Sequence, residues 1–168
     1  MLNGGNERAL VENDLGLDNN WAPRTMVKQS TTMLSLMFER FSQENNDMTF
    51  MHAYPGLVRT DIISGMTPLP DAGVLNRMML AAIRGVVAVL MLIVGIDAED
   101  CGERQAYHLT NDSFTAGRAW RIDDKSEVVS AAGPLERYRE GSRMERIWDF
   151  TAGVFEKALI SGNNSSVH

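Results

Sequence analysis

Met48-Thr-Phe-Met-His-Ala-Tyr-Pro-Gly-Leu-Val-Arg-Thr60 is the stretch whose reading decides the fold. Up to Tyr54 it is rich in aromatic and apolar residues and too short for a stable helix, and Pro55-Gly56 then stops it abruptly. A buried strand ends in a tight turn in this way. From Arg24 to Gln43 the period is helical: Met26, Met33, Met37 and Phe41 share one face, Val27, Leu34 and Phe38 lie beside it, and Leu36 widens it. So broad an apolar stripe predicts burial on two sides. Helix, strand, Pro-Gly turn and further helix predict part of a parallel α/β sheet. Ligands of such sheets gather at the carboxyl ends of the strands, which makes residues 54–61 the place for chemistry.

Outward from this stretch the signals are coarser. Residues 1–23 are polar and turn-rich. Val74 to Gly95 is very apolar but contains Arg77 and Arg84. A membrane span needs about 20 predominantly apolar residues, and an Arg near the middle opposes it. The segment therefore reads as a buried or pocket-covering helix, with interfacial membrane contact by 74–95 as the competing reading. Asp97-Ala-Glu-Asp100 places acids at a helix start, and that helix is expected to run to about His108. Ala119-Trp-Arg-Ile122 predicts a short strand, and Leu135 to Arg139 and Met144 to Leu159 predict closing helices. Three strands are expected in all, near residues 1–3, 48–54 and 119–122. One domain over 1–160 is expected, followed by a polar, unstructured tail over 161–168.

The chain has 168 residues, a formal charge of −6 and a pI near 5.0. That balance and the lack of any basic run exclude a nucleic-acid surface. The single cysteine, Cys101, excludes an internal disulfide, and His52, His108 and His168 have no metal-ligand spacing. No metal is expected. No charged-then-apolar leader opens the sequence, so a cytoplasmic location is expected. Eleven methionines predict an adaptable apolar interior or pocket.

Phe50-Met-His-Ala-Tyr-Pro-Gly-Leu-Val-Arg-Thr60 resembles the Pro-Gly-x-Val-x-Thr turn of the short-chain dehydrogenase/reductases, most of all their divergent fungal members. Ala98-Glu-Asp-Cys-Gly-Glu-Arg104 resembles a second stretch of that group, and Arg146-Ile-Trp-Asp149 with Phe155-Glu-Lys157 resembles its closing helix. The resemblance implies a partial Rossmann-like half-domain, the carboxyl-terminal half, with few parallel strands flanked by helices. It further implies a four-helix dimer interface built on helix 24–43, a lid over the substrate at 74–95, and Thr60 at the nicotinamide end. Asn3 or Gly4 stands where the family carries its catalytic Ser. The glycine-rich turn that admits a dinucleotide's phosphates is not found in this sequence. Nor is Tyr-x-x-x-Lys, whose expected register falls on Trp21 with Thr25 or Ala22 with Met26. No nicotinamide cofactor and no unaided hydride transfer are therefore expected. Of two explanations, fragment or reused half-domain, the loss of Tyr and Lys inside the retained half, with Met1 first, favours reuse.

On an extended strand Phe50, His52 and Tyr54 share a face. Tyr54 and His52 are the candidate acid–base pair, with Arg59 as a further polar contact. A core histidine with a backbone partner is the competing reading of His52. Trp21, Met26, Leu57, Thr60 and Asp61 are candidate substrate contacts beneath a lid from Ile62 to Met79. The resulting expectation is a non-redox isomerase, cyclase or dehydratase of fungal-type secondary metabolism, acting on an apolar polyketide or terpenoid. The alternative is a pseudoenzyme, partner subunit or inactive fragment of an NADP-dependent oxidoreductase. A homodimer through helix 24–43 and an open sheet edge is expected in either case.

Overall fold

The computed structural model describes residues 3–59, 73–130 and 133–165. Its elements are α1 (Pro23–Glu44), β1 (Thr49–Ala53), α2 (Val74–Val94), α3 (Ala98–Thr110), β2 (Arg118–Ile122), α4 (Glu136–Arg139) and α5 (Arg143–Ser165). Where the sequence reads as one domain, the chain divides into two compact units, Met1–Tyr54 with Phe114–His168, and Pro55–Ser113.

The first unit is α/β. Strands β1 and β2 pair in parallel, in register from Thr49 opposite Arg118 to Ala53 opposite Ile122. Tyr54 extends the ladder by donating its N–H to Ile122 O at 2.8 Å. Two strands form this sheet among the described residues, and Asn3, at the expected third, is not in a strand. The arrangement is compatible with part of a Rossmann-like fold.

Helix α1 opens at Pro23, whose missing N–H costs nothing in a first turn. It presents two different faces. Its apolar side meets the sheet and α5, where Phe41 stacks on Phe50 at 5.9 Å and meets Trp148 edge-on at 5.3 Å. Its other side is polar and buried. Gln29 Oε1 accepts the Val11 N–H at 2.9 Å, and Thr32 Oγ1 both accepts from Arg8 N at 2.8 Å and donates to Arg8 O at 2.7 Å. The helix thus satisfies the backbone of the irregular segment at 8–11 with side chains, since no strand is there to do so. Leu10, Leu36, Leu135, Tyr138, Met144 and Ile147 form the apolar core beneath. The Tyr138 hydroxyl accepts the Leu10 N–H at 2.7 Å, which joins the first residues of the unit to the last.

Helix α5 runs through Ser165, so the segment from residue 161 onward, expected as an unstructured tail, is helical that far. Residues 166–168 lie outside the described residues.

The second unit carries α2 and α3. Val58 and Ile96 form a parallel bridge. The Arg59 guanidinium closes the carboxyl end of α2, donating to Met91 O at 2.9 Å, to Leu92 O at 3.3 Å and to Asp97 Oδ1 at 2.8 Å. Helix ends leave such carbonyls without intrahelical donors, and a cation there suits the dipole. Helix α2 departs from expectation. None of its residues is buried, and only Leu80, Arg84, Val87 and Met91, spaced along one stripe, are even partly covered. By length and composition it is the one described helix able to cross a membrane.

Candidate functional site

At the carboxyl end of β1 a cleft of about 490 Å³ opens between Tyr54, the loop at Asn3, Asn6 and Arg8, and the first turns of α1 at Pro23, Arg24, Val27 and Lys28. The cleft lies at the end of the strand where the rule for open parallel sheets expects ligands, and of residues 54–59 only Tyr54 lines it. Its chemistry differs from expectation. The cleft is lined by three cations, two asparagines and a phenol, with Pro23, Val27 and the Tyr54 ring as apolar wall. Among the described residues no carboxylate lines it.

The loop is held by specific contacts. Asn3 donates through Nδ2 to Thr31 Oγ1 at 3.1 Å and accepts from Asn6 Nδ2 at 3.0 Å. Gly4 crosses so close to β1 that a Cβ there would lie 1.6 Å from the His52 carbonyl oxygen. Only glycine permits that approach.

Beneath the cleft lies a buried polar chain. Asn3 N donates to His52 Nε2 at 3.3 Å, and His52 Nδ1 lies 2.7 Å from Ser35 Oγ. Ser35 Oγ donates to Glu7 Oε1 at 2.7 Å, and Arg121 Nη1 pairs with Glu7 Oε2 at 3.1 Å. With Nε2 accepting, the neutral imidazole carries its proton on Nδ1, so the bonds run from His52 to Ser35 to Glu7. His52, Ser35, Glu7 and Arg121 are all buried. Burial alone raises the Glu7 carboxyl pKa. The Ser35 bond, the backbone N–H groups of Glu7 and Gly5, and the Arg121 charge outweigh it, and the pKa is held below the usual carboxylate value.

This geometry corrects several site expectations. His52 is not an acid–base partner for Tyr54: it is 1 % exposed, both ring nitrogens are engaged, and it does not line the cleft. Arg59 belongs to the second unit and is occupied in closing α2. Leu57 also lies in the second unit, where its carbonyl accepts from Ile96 N at 2.9 Å. Trp21 and Met26 are exposed and outside the cleft lining, because α1 turns its residues 23, 24, 27 and 28 to the opening instead. Among the described residues, Tyr54 alone of the expected ones lines the cleft. Thr60, Asp61 and the lid from Ile62 to residue 72 lie outside the described residues. His108, expected at a helix end, is buried in the last turn of α3, and burial together with the Arg104 charge pushes its pKa down.

Arg24 and Lys28 were missed in the sequence. They stand at the spacing of Tyr-x-x-x-Lys and both face the cleft, unlike Trp21 with Thr25 or Ala22 with Met26. The signal was available: two cations in the opening turns of a helix, where the dipole favours acids, in an acidic chain.

The chain is 27% identical to "Oxidoreductase lepF" of Aspergillus flavus, over 97% of this chain and 52% of that protein. It is 25% identical to "Oxidoreductase AN1596" of Emericella nidulans, over 95% of this chain and 53% of the relative. To an "NmrA-like family domain-containing oxidoreductase notO" of an Aspergillus species it is also 25% identical, over 98% of this chain and 50% of the relative. No family model matches the sequence, and no solved structure matches it. The chain spans about half the length of the curated relatives it matches, and what the similarity supports is a divergent likeness to part of fungal oxidoreductases.

Proposed function

We propose that this chain is a ligand-binding half-domain of the oxidoreductase type, which holds a small molecule at the carboxyl end of β1 and does not itself transfer hydride. The cleft at Tyr54 carries this reading: its size falls in the range of small-molecule sites, and its walls come from the strand end, the loop and the helix start together. Similarity to about half of fungal oxidoreductases supports the type, and a sequence without a phosphate-cradling glycine turn supports the lack of hydride transfer. In calorimetry on the purified chain, NADP and NAD are expected to bind no more tightly than inorganic phosphate. Micromolar affinity for either dinucleotide would overturn the reading.

Tyr54 favours a second reading, a cofactor-independent isomerase, cyclase or dehydratase of a polyketide or terpenoid. Among the described lining residues it is the one that bears a hydroxyl, and a positioned phenol can deliver a proton. Turnover without nicotinamide that falls in Tyr54→Phe by about tenfold, about 1.4 kcal/mol, would support it. Unchanged turnover in that variant would exclude Tyr54 as the proton donor.

We also propose that two copies pair across the apolar groove between α1 and α5, about 720 Å³ lined by Met33, Met37, Phe38, Phe41, Trp148 and Phe155 among others. Light scattering on Phe155→Lys is expected to show a monomer where the parent chain shows a dimer. A monomeric parent chain at micromolar concentration would contradict the pairing.

A further inference from the structure

We propose that the cleft at Tyr54 recognises an anionic group, a carboxylate or a phosphate, on its small-molecule ligand. This rests on the ligand-binding reading and adds the chemistry of what is bound.

The first argument is charge. Arg8, Arg24 and Lys28 line the cleft and, among the described residues, no acid does, in a chain whose net charge is −6. Elsewhere six of the described arginines, Arg40, Arg59, Arg121, Arg137, Arg139 and Arg143, are ion-paired, while Arg118 lies over the Trp120 ring and Arg146 donates to Glu12 O. Neither Arg24 nor Lys28 has an ion-pair partner among the described residues, and Arg8 donates to a backbone carbonyl, Glu7 O, at 2.7 Å. The acid next to Arg8 in sequence does not neutralise the opening. Glu7 turns its carboxylate inward, where Ser35 and Arg121 hold it.

The second argument is cost. Arg24 and Lys28 are like charges four residues apart on one helix, an arrangement that destabilises helices. Arg24 also sits in the first turn of α1, where the dipole opposes it, and that turn has neither an acid nor a side-chain cap. An anion in the cleft reverses all of these terms at once. It would meet a guanidinium from each side, Arg8 from the loop and Arg24 from the helix, and planar forks of that kind suit carboxylate and phosphate oxygens. The Lys28 ammonium adds a point charge and the Tyr54 hydroxyl a neutral donor. The volume exceeds what a bare ion needs, which leaves room for the body of a small metabolite against Val27, Pro23 and the Tyr54 ring.

The test is calorimetry on the full chain at constant ionic strength, with inorganic phosphate, succinate and the uncharged succinamide as probes. Saturable binding of phosphate or succinate, and none of succinamide, is expected. Phosphate alone assigns a phosphate ester, and succinate alone assigns a carboxylate. Arg24→Gln and Lys28→Gln are each expected to weaken binding by about tenfold, the value of one charge-assisted hydrogen bond. Arg8→Gln tests the opposite wall independently. Lys125→Gln, in the exposed turn after β2, is expected to bind as the parent does, and unchanged circular dichroism certifies each fold. Equal binding of succinamide and succinate, lost in Tyr54→Ala but not in Arg24→Gln, overturns the anion while leaving the ligand cleft standing. Binding of no probe by a folded chain overturns the anion too, and anion binding that ignores all three cleft substitutions places it elsewhere.

Discussion

Helices α1 and α2 are nearly equal in length, 22 and 21 residues, and opposite in how they are used. Helix α1 is much the more polar, yet it buries Gln29, Thr31, Thr32, Ser35, Leu36, Met37 and Ser42. Helix α2 is far more apolar and buries nothing. Hydropathy gives the tendency of a surface to leave water. Burial also requires something to cover that surface. Helix α1 has covers on two sides, an aromatic layer and an irregular segment whose backbone needs hydrogen-bond partners, so its hydroxyls and amide are fully occupied inside the fold. A buried polar group is tolerated on that condition alone.

The sharpest way to break the polar side of this contrast is Glu7→Ala, which leaves the Arg121 guanidinium buried without its carboxylate. A loss of about 3–5 kcal/mol in chemical denaturation is expected, and a loss within experimental error would show that the pair is dispensable. Protonation does the same more gently. The folded Glu7 pKa lies below its ordinary value, so its contribution is complete above that ordinary value and is lost as pH falls toward the folded pKa. Glu7→Gln should therefore flatten the acid limb of the stability profile relative to the parent, and an identical limb would exclude Glu7 as its source. Tyr138→Phe is the next step down. It strands the buried Leu10 N–H, at a cost of about 1–3 kcal/mol, and rapid hydrogen exchange at Leu10 should accompany it. The smallest effect belongs to α2. Leu75→Lys, at a residue 79 % exposed, should change stability by no more than about 0.5 kcal/mol. A large loss would mean that α2 is covered in the working protein.

Elements were legible where local chemistry decides them. The Tyr54-Pro-Gly56 boundary, the span of α1 and the acids opening α3 all follow from turn, periodicity and dipole signals that need no tertiary partner. Gly56 takes the left-handed φ of +78° that such a turn requires. Polar side chains were harder. Gln29, Thr32 and Ser35 recur at helical spacing, which read alone resembles a solvent face, and only the segment packed on them shows otherwise. Strand alternation puts His52 on the face of Tyr54 and so offers it to chemistry. The competing reading, a core histidine with a backbone partner, is the one that fits: Asn3 N and Ser35 occupy both ring nitrogens. The cleft lining failed for a similar reason. The motif register points to Trp21 and Met26, whereas the rotation of α1 turns Arg24 and Lys28 to the cleft.

The discontinuity of the first unit has a consequence for how the protein is made. Strand β1 is complete when Ala53 has been added, but its partner β2 begins at Arg118, after all of Pro55–Ser113 has been synthesised. At roughly 5–20 residues per second this is a wait of several seconds. Through that interval β1 has an unpaired edge, and the N-terminal segment has neither Tyr138 nor Arg121 to hold it. The nascent chain must also carry the exposed apolar surface of α2 before the first unit closes. Aggregation on translation, and relief of it by chaperones or slower synthesis, is the behaviour to look for when the chain is expressed.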